Sequence, residues 1–410
     1  MELKKQSALE NIDACKELLE SMSDALWDHP ETGYHEHFAA RLYCRMLEKL
    51  GFQVEQGLAG IETAFSGTYG SGKPVIGFLG EFDALSGLSQ VAGSAEKCPL
   101  IPGGNGHGCG HNLLGAGCLA GAMGMKKYLE ETGCEGTVIF YGCPAEEGGS
   151  GKAFMAREGC FDMLDAAIAW HPGSTYNASG GGMLANCQIY FRYKGVSSHA
   201  GISPHLGRSA LDALMLACHG LECLREHVRD DVRMHYAIRE TSPLSNVVPD
   251  FVEASFVIRS YSTDYIETLV PRLKKVLQGA AMMTETSCEI IEKSHLDSKV
   301  PSYILNDRIM ENARAVDAPQ LGAPREKTGS TDFGNVLHTL PGACVRIAFV
   351  PRGTSSHSQE YLDAGKSDAA HLAVRLAAQI LALTSWDVIA DEELLERVRV
   401  EFAENLATMG

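Results

Sequence analysis

Apolar and polar positions follow two rhythms along this chain. In the first part, short apolar runs are separated by stretches of helical period. Residues 7–26 and 37–50 repeat apolar positions every three or four residues, and Gly51 closes the second stretch. PVIGFLG (74–80), TVIFYG (137–142) and residues 166–170 read as buried strands, and residues 113–130 as a helix despite its glycines. Apolar strands alternating with helices predict a sheet that is at least partly parallel and covered on both faces.

Near residue 183 the rhythm changes. CQIYFRY (187–193) alternates like a half-exposed strand. A helix over 208–225, strands over 232–239 and 252–261, a helix over 264–279 with Asp264 as its N-cap, and a strand over 286–292 follow. That order, β-α-β-β-α-β, belongs to a ferredoxin-like sandwich. The earlier style then returns with an apolar strand at 345–350 and a helix over 369–383. The pattern predicts an α/β fold: a large domain with a mostly parallel sheet (1–183 and 298–410), interrupted by a smaller ferredoxin-like α+β domain (184–297).

Composition narrows the function. The 410 residues carry 35 Lys+Arg against 52 Asp+Glu, a net charge of −17, which argues against gripping a phosphate backbone. Thirteen cysteines at irregular spacing in so long a chain do not read as a disulfide scaffold. The N-terminus is charged and amphipathic with no apolar leader core. No apolar run reaches 18 residues, and the closest, 113–125, is too short to span a bilayer. The expectation is a cytoplasmic protein with reduced thiols and neither nucleic acid nor membrane as partner.

Glycine is abundant, at 43 residues, and is densest at 103–112, 142–151 and 179–182. GGSGK (148–152) only faintly resembles a phosphate loop, because the first glycine is misplaced and Ala153 stands where Ser or Thr is needed. YHEHF (34–38) brings its second histidine too soon for a zinc-protease helix. Cys109-x-His111 is more pointed, since thiolate and imidazole suit zinc-like metals, although a buried cysteine is often simple packing. Glu146–Glu147 follows a buried strand. Neighbouring carboxylates point in different directions, so one could hold a metal while the other acts as a base. His171 and His357 each follow an apolar strand, and a lone histidine at such a place is more often a hydrogen-bonded structural residue. Cys109, His111, Glu147, His171 and His357 together are too many for one closed tetrahedral site. They suit two metals about 3.5–4 Å apart that share a water.

HPETGYHEH, GEFDAL, GCGHN, PAEEGGSGK, the WHP strand end, YKGVSSHAGISPHLGRSALDAL, SNVVPD and TSSHSQEY occur in this order over nearly the whole chain. The set resembles the aminoacylase/carboxypeptidase-G family of co-catalytic metallopeptidases. Its nearest branch holds the hippurate and indole-acetyl-amino-acid hydrolases, and GHGCGHNLLG with the short EEGGSGK loop looks closest to the p-aminobenzoyl-glutamate hydrolase and β-alanyl-lysine-type dipeptidase group. The resemblance implies two divalent ions per chain, Zn or Mn, with Cys109 bridging them and His111, Glu147, His171 and His357 as ligands. It implies Glu146 as general base and leaves Glu81 and Asp83 unassigned to metal. It makes the insert a lid and homodimerisation domain, in which His199 holds the substrate carbonyl oxygen, often in the partner's site, and Asn246 and Arg259 hold a carboxylate. The implied substrate is an N-acyl or N-aminoacyl amino acid, or a small dipeptide. Three other readings stand beside it: a ureido-hydrolase of the same clan, a metal-independent hydrolase with Cys109 as nucleophile, and a non-catalytic binding protein.

Overall fold

A computed structural model describes residues 3–409 except Ala95, Ser179 and Pro243, so the first residue of the third glycine cluster lies outside the described residues. The chain divides into two compact units: residues up to Gly182 with Val300–Ala407, and Met183–Lys299.

The first unit is built on a seven-stranded sheet. Its strands run in the order Gln53–Gln56, Phe65–Ser71, Gly136–Cys143, Val75–Glu81, Ala166–Gly173, Gly342–Ala348, Asn177–Ala178. The four consecutive strands from Gly136–Cys143 to Gly342–Ala348 pair in parallel, while the flanking strands pair antiparallel. Every residue of Val75–Glu81 and of Gly136–Cys143 is buried, as expected of parallel strands covered on both faces. The two outer strands, 53–56 and 65–71, carry too much polar and glycine character to stand out in the sequence. The apolar stretch at 113–125 extends into a helix, His111–Thr132, packed on Asp368–Ala390. Asp368–Ala390, rather than 113–125, is the helix long and apolar enough to cross a membrane by length and composition. However, 78% of its most apolar window is buried, which marks a core helix.

The helix expected over 7–26 is two helices, Leu3–Ala14 and Lys16–Asp28, because Cys15 takes ψ 7° and the path turns there. Hydrophobic period does not register a one-residue break.

The second unit has a four-stranded antiparallel sheet, ordered Ser287–Leu296, Ala185–Lys194, Phe251–Ser260, Arg233–Thr241. Buried and half-buried residues alternate along Ala185–Lys194, and helices Ala210–Arg225 and Thr263–Thr284 pack on the sheet. The N-cap of the second helix is Ser262, not Asp264: Ser262 Oγ accepts from Tyr265 N at 3.1 Å. Asp264 instead lies in the first turn, where a carboxylate suits the helix dipole.

Candidate metal centre

The parallel strands aim their carboxyl ends at one place, where open α/β sheets bind ligands. Val75–Glu81 ends on Glu81, with Asp83 just beyond. Gly136–Cys143 leads to Glu146 and Glu147, Ala166–Gly173 carries His171, and Gly342–Ala348 leads to His357. Helix His111–Thr132 starts at the same edge. Gly110, immediately before it, has φ +79°, and a Cβ there would stand 2.7 Å from Pro172 Cγ. Only glycine allows this turn, which places Cys109 and His111 on either side of it.

Cys109 sits between the other donors. Its Sγ is 3.6 Å from His171 Nε2. The donor atoms of Cys109, His111 and His171 lie within 4.8 Å of one another, as do those of Cys109, Glu147 and His357. The two triads share Cys109. A third group joins Glu81, His111 and Glu146.

Two imidazoles are oriented from behind. His111 Nδ1 donates to Asp83 Oδ1 at 2.9 Å, and His171 Nδ1 donates to Pro172 O at 2.6 Å. Each ring therefore keeps Nε2 for the site, the arrangement that fixes the tautomer of metal-binding histidines. Asp83 also accepts from Glu147 N through Oδ2 at 2.9 Å, so one buried carboxylate aligns two donors. Burial raises the Asp83 carboxyl, but the charge and hydrogen bond of His111 outweigh this and hold it below the usual carboxylate range.

These residues fit divalent cations. His111 Nε2, Glu81 Oε2 and Glu147 Oε1 are buried without a hydrogen-bond partner. Yet Glu81 Oε2 is 3.1 Å from His111 Nε2, and Glu147 Oε1 is 3.2 Å from His357 Nε2. Close approach without hydrogen-bond geometry, among sulfur, nitrogen and oxygen donors, is what a shared cation relieves. The pocket also prefers positive charge. Burial lowers His111, but Cys109 and Asp83 raise it well above the ordinary imidazole value. His357 is raised to about 10, first by Cys109 and then by Glu147.

Glu146 and Glu147 are pushed apart. Burial, then the charges of Glu81 and Asp332, raise Glu146 to about 8. Glu147 is held low despite burial by the close His357 imidazole and the charge of His111. Such separation gives two adjacent carboxylates different roles. The loop that carries them is strained, with Ala145 at φ +58° and Ser150 at φ +59°. The N-terminal motif braces it. Glu36, fully buried, accepts from Ala145 N at 2.9 Å and from Thr63 Oγ1 at 2.9 Å, and Tyr34 Oη donates to Gly149 O at 2.6 Å.

Sequence reading missed three members of this neighbourhood. Lys152, the end of the GGSGK segment, is fully buried between Glu81 Oε1 at 2.9 Å and Asp332 Oδ1 at 2.6 Å. Asp332 carried no local signal, and Glu36 lay in a motif read only for its histidines. Glu81 was visible at the end of its strand. Its two oxygens, one toward Lys152 and one toward His111, were not.

In the second unit, His199 and Asn246 come together. Ala200 N donates to Asn246 O at 3.0 Å, and His199 pairs with Val247 in an isolated bridge. Arg259 does not join them. It lies eight residues along Phe251–Ser260 from Phe251, a run of roughly 26 Å at ~3.3 Å per residue. Asn246 lies beyond the Phe251 end, so Asn246 and Arg259 of one chain do not grip one carboxylate. Arg259 Nε instead faces His235 Nε2 at 3.3 Å.

Comparison with known proteins places this arrangement among hydrolases. Residues 77–382 match peptidase family M20/M25/M40. A p-aminobenzoyl-glutamate hydrolase subunit from Escherichia coli is 38% identical, over 95% of this chain and 93% of its own. The mouse (Mus musculus) Xaa-Arg dipeptidase is 31% identical, over 98% of this chain and 93% of its own. Among solved structures, the Bacillus subtilis YXEP protein, a dinuclear metal-binding M20 peptidase, superposes with a TM-score of 0.66 at 20% identity, covering 90% of this chain and 98% of that one.

Proposed function

Because the chain belongs to peptidase family M20/M25/M40 and is a metal-dependent amidohydrolase, we propose that it hydrolyses the amide bond of N-acyl or N-aminoacyl amino acids, or of small dipeptides, with two divalent cations held by Cys109, His111, Glu147, His171 and His357. The carrying observation is that two donor triads share Cys109 Sγ. Its relatives support the amide class but name substrates of opposite charge, a glutamate conjugate and peptides ending in arginine.

When bound, zinc or manganese would supply Lewis acidity toward a water and the scissile carbonyl. The rest falls to side chains. Glu146 accepts a proton from the attacking water and returns it to the leaving nitrogen, so that amide and water give carboxylic acid and amine. Asp83 keeps His111 and Glu147 in register. His199 donates to the developing oxyanion. Because His199 and Arg259 lie toward opposite ends of the lid sheet, we assign them to the sites of different chains in a homodimer. The unshared lone pairs around Cys109 favour this reading over a thiol nucleophile, and the Cys-containing donor set favours it over a ureido-hydrolase.

Metal analysis and turnover test the proposal together. Glu146→Gln should lower kcat by about 10²–10⁴-fold while two ions stay bound, and Cys109→Ala should bind fewer than two. Chelation should abolish turnover. Full activity in chelator, lost on alkylation of Cys109, would restore the thiol mechanism.

A further inference from the structure

Two arginines near the centre have no counter-charge among the described residues. Arg346 lies on Gly342–Ala348 in parallel register with His171, so the two residues stand on the same face of the sheet near its carboxyl edge. Its side chain crosses Gly173, with Nη1 3.5 Å from where a Cβ would stand. The next strand, Asn177–Ala178, pairs with Arg346 and Val345. Arg325 is fastened to that strand's edge: its N donates to Ala178 O at 3.2 Å, and its carbonyl accepts from Gly181 N at 2.7 Å. The two arginines therefore approach from neighbouring segments.

Each is half-buried. Among the described residues, neither guanidinium has a carboxylate within 4.0 Å or a side-chain hydrogen bond, whereas the buried Lys152 on the same edge has two carboxylates. Burial first, and then the charge of Arg346, hold Arg325 below the ordinary guanidinium value. Two like charges withdrawn from water beside each other are unfavourable unless an anion answers them. In a chain of net charge −17, acids to pair them internally are plentiful, yet none is placed here. The guanidinium fork is shaped for a carboxylate, which it grips bidentately.

We propose that Arg325 and Arg346 form a carboxylate subsite beside His171 that receives the side-chain acid of a dicarboxylic amino acid, so that the enzyme selects amides of acidic over neutral or basic amino acids. This rests on the amidohydrolase reading above. The pair would repel a substrate with a cationic side chain at the same place.

The test compares N-acetyl-L-glutamate with N-acetyl-L-glutamine, which differ at the side-chain carboxylate. In the metal-loaded enzyme, Arg346→Ala and Arg325→Ala should each raise KM for the glutamate amide roughly 10- to 100-fold and change that for the glutamine amide by less than about threefold. R346K and R325K, which keep charge but lose the fork, should fall between. Metal content and thermal melting of each variant separate a lost subsite from a lost fold. The same ligands are titrated calorimetrically into E146Q, with and without R346K, as a readout that needs no turnover. Equal KM changes for both amides, or equal calorimetric affinities in E146Q, overturn the subsite. If the wild-type enzyme cleaves neither amide while E146Q binds the acidic one preferentially, the subsite stands and the amidohydrolase substrate class fails.

Discussion

At the scale of single residues, several of the site's donors are held from behind. Asp83 orients His111 and the Glu147 backbone, Pro172 O orients His171, and Lys152 orients Glu81. Glu36 acts one step further out, on the strained Ala145 that precedes Glu146 and Glu147. Glu36→Ala leaves Ala145 N without its acceptor, a loss of about 1–3 kcal/mol of stability. Misplacing the loop should also cost on the order of 10²-fold in kcat, since shifts near 1 Å are that expensive. Glu36→Gln keeps an acceptor oxygen and should recover most of both. A Glu36→Ala enzyme with wild-type kcat would show that the loop holds its shape without this brace. C-x-H and Glu-Glu were legible because their spacing is local. Glu36, Lys152 and Asp332 were not, because each meets its partner across 70 or more residues of chain.

At the scale of elements, parallel pairing does two jobs at opposite ends of the sheet. The carboxyl ends gather the donors, and the amino ends are tied by Asp165. This residue precedes Ala166–Gly173, accepts from Val75 N at 2.8 Å, and pairs with Lys73 at 3.0 Å and Arg399 at 2.6 Å. Burial raises its carboxyl, but the Val75 hydrogen bond and the two cations outweigh this and hold it below the usual range. Its contribution is therefore complete above the unfolded value of about 3.9. It is lost as pH falls through the depressed folded value. Asp165→Ala should cost on the order of 1–3 kcal/mol at neutral pH. Melting curves across pH should show the gap between variant and wild type closing in acid, and a gap that persists there would mean Asp165 acts through packing alone. Element types were well signalled by period: the four parallel strands and the β-α-β-β-α-β insert appear where the pattern put them. Helix breaks and caps were less so. Cys15 and Ser262 depend on single dihedrals and hydrogen bonds that no window average contains.

At the scale of the whole molecule, the second unit poses the question. His199 with Asn246, and Arg259, sit toward different ends of one sheet. If His199 serves the partner's site, two inactive variants should complement each other. A mixed dimer of His199→Ala and Glu146→Gln chains contains one site with both groups intact. Exchange of chains between the two pure variants should then recover roughly a quarter of wild-type activity. No recovery after demonstrated exchange would place His199 in its own chain's site.

What the sequence determined by itself is what short-range pattern can encode. Apolar period dictates strands and helices, glycine permits the turn at 110, and ordered motifs state the family. Close packing and long-range pairing decided the rest. Only the folded sheet brings Cys109 into two triads, turns Glu81 between Lys152 and His111, and sets Arg325 and Arg346 on neighbouring segments with no carboxylate within 4.0 Å among the described residues. The reason is physical. Local spacing sets where a side chain leaves its element, but its charge state and partner depend on burial and on residues that are distant in the chain and meet only after folding.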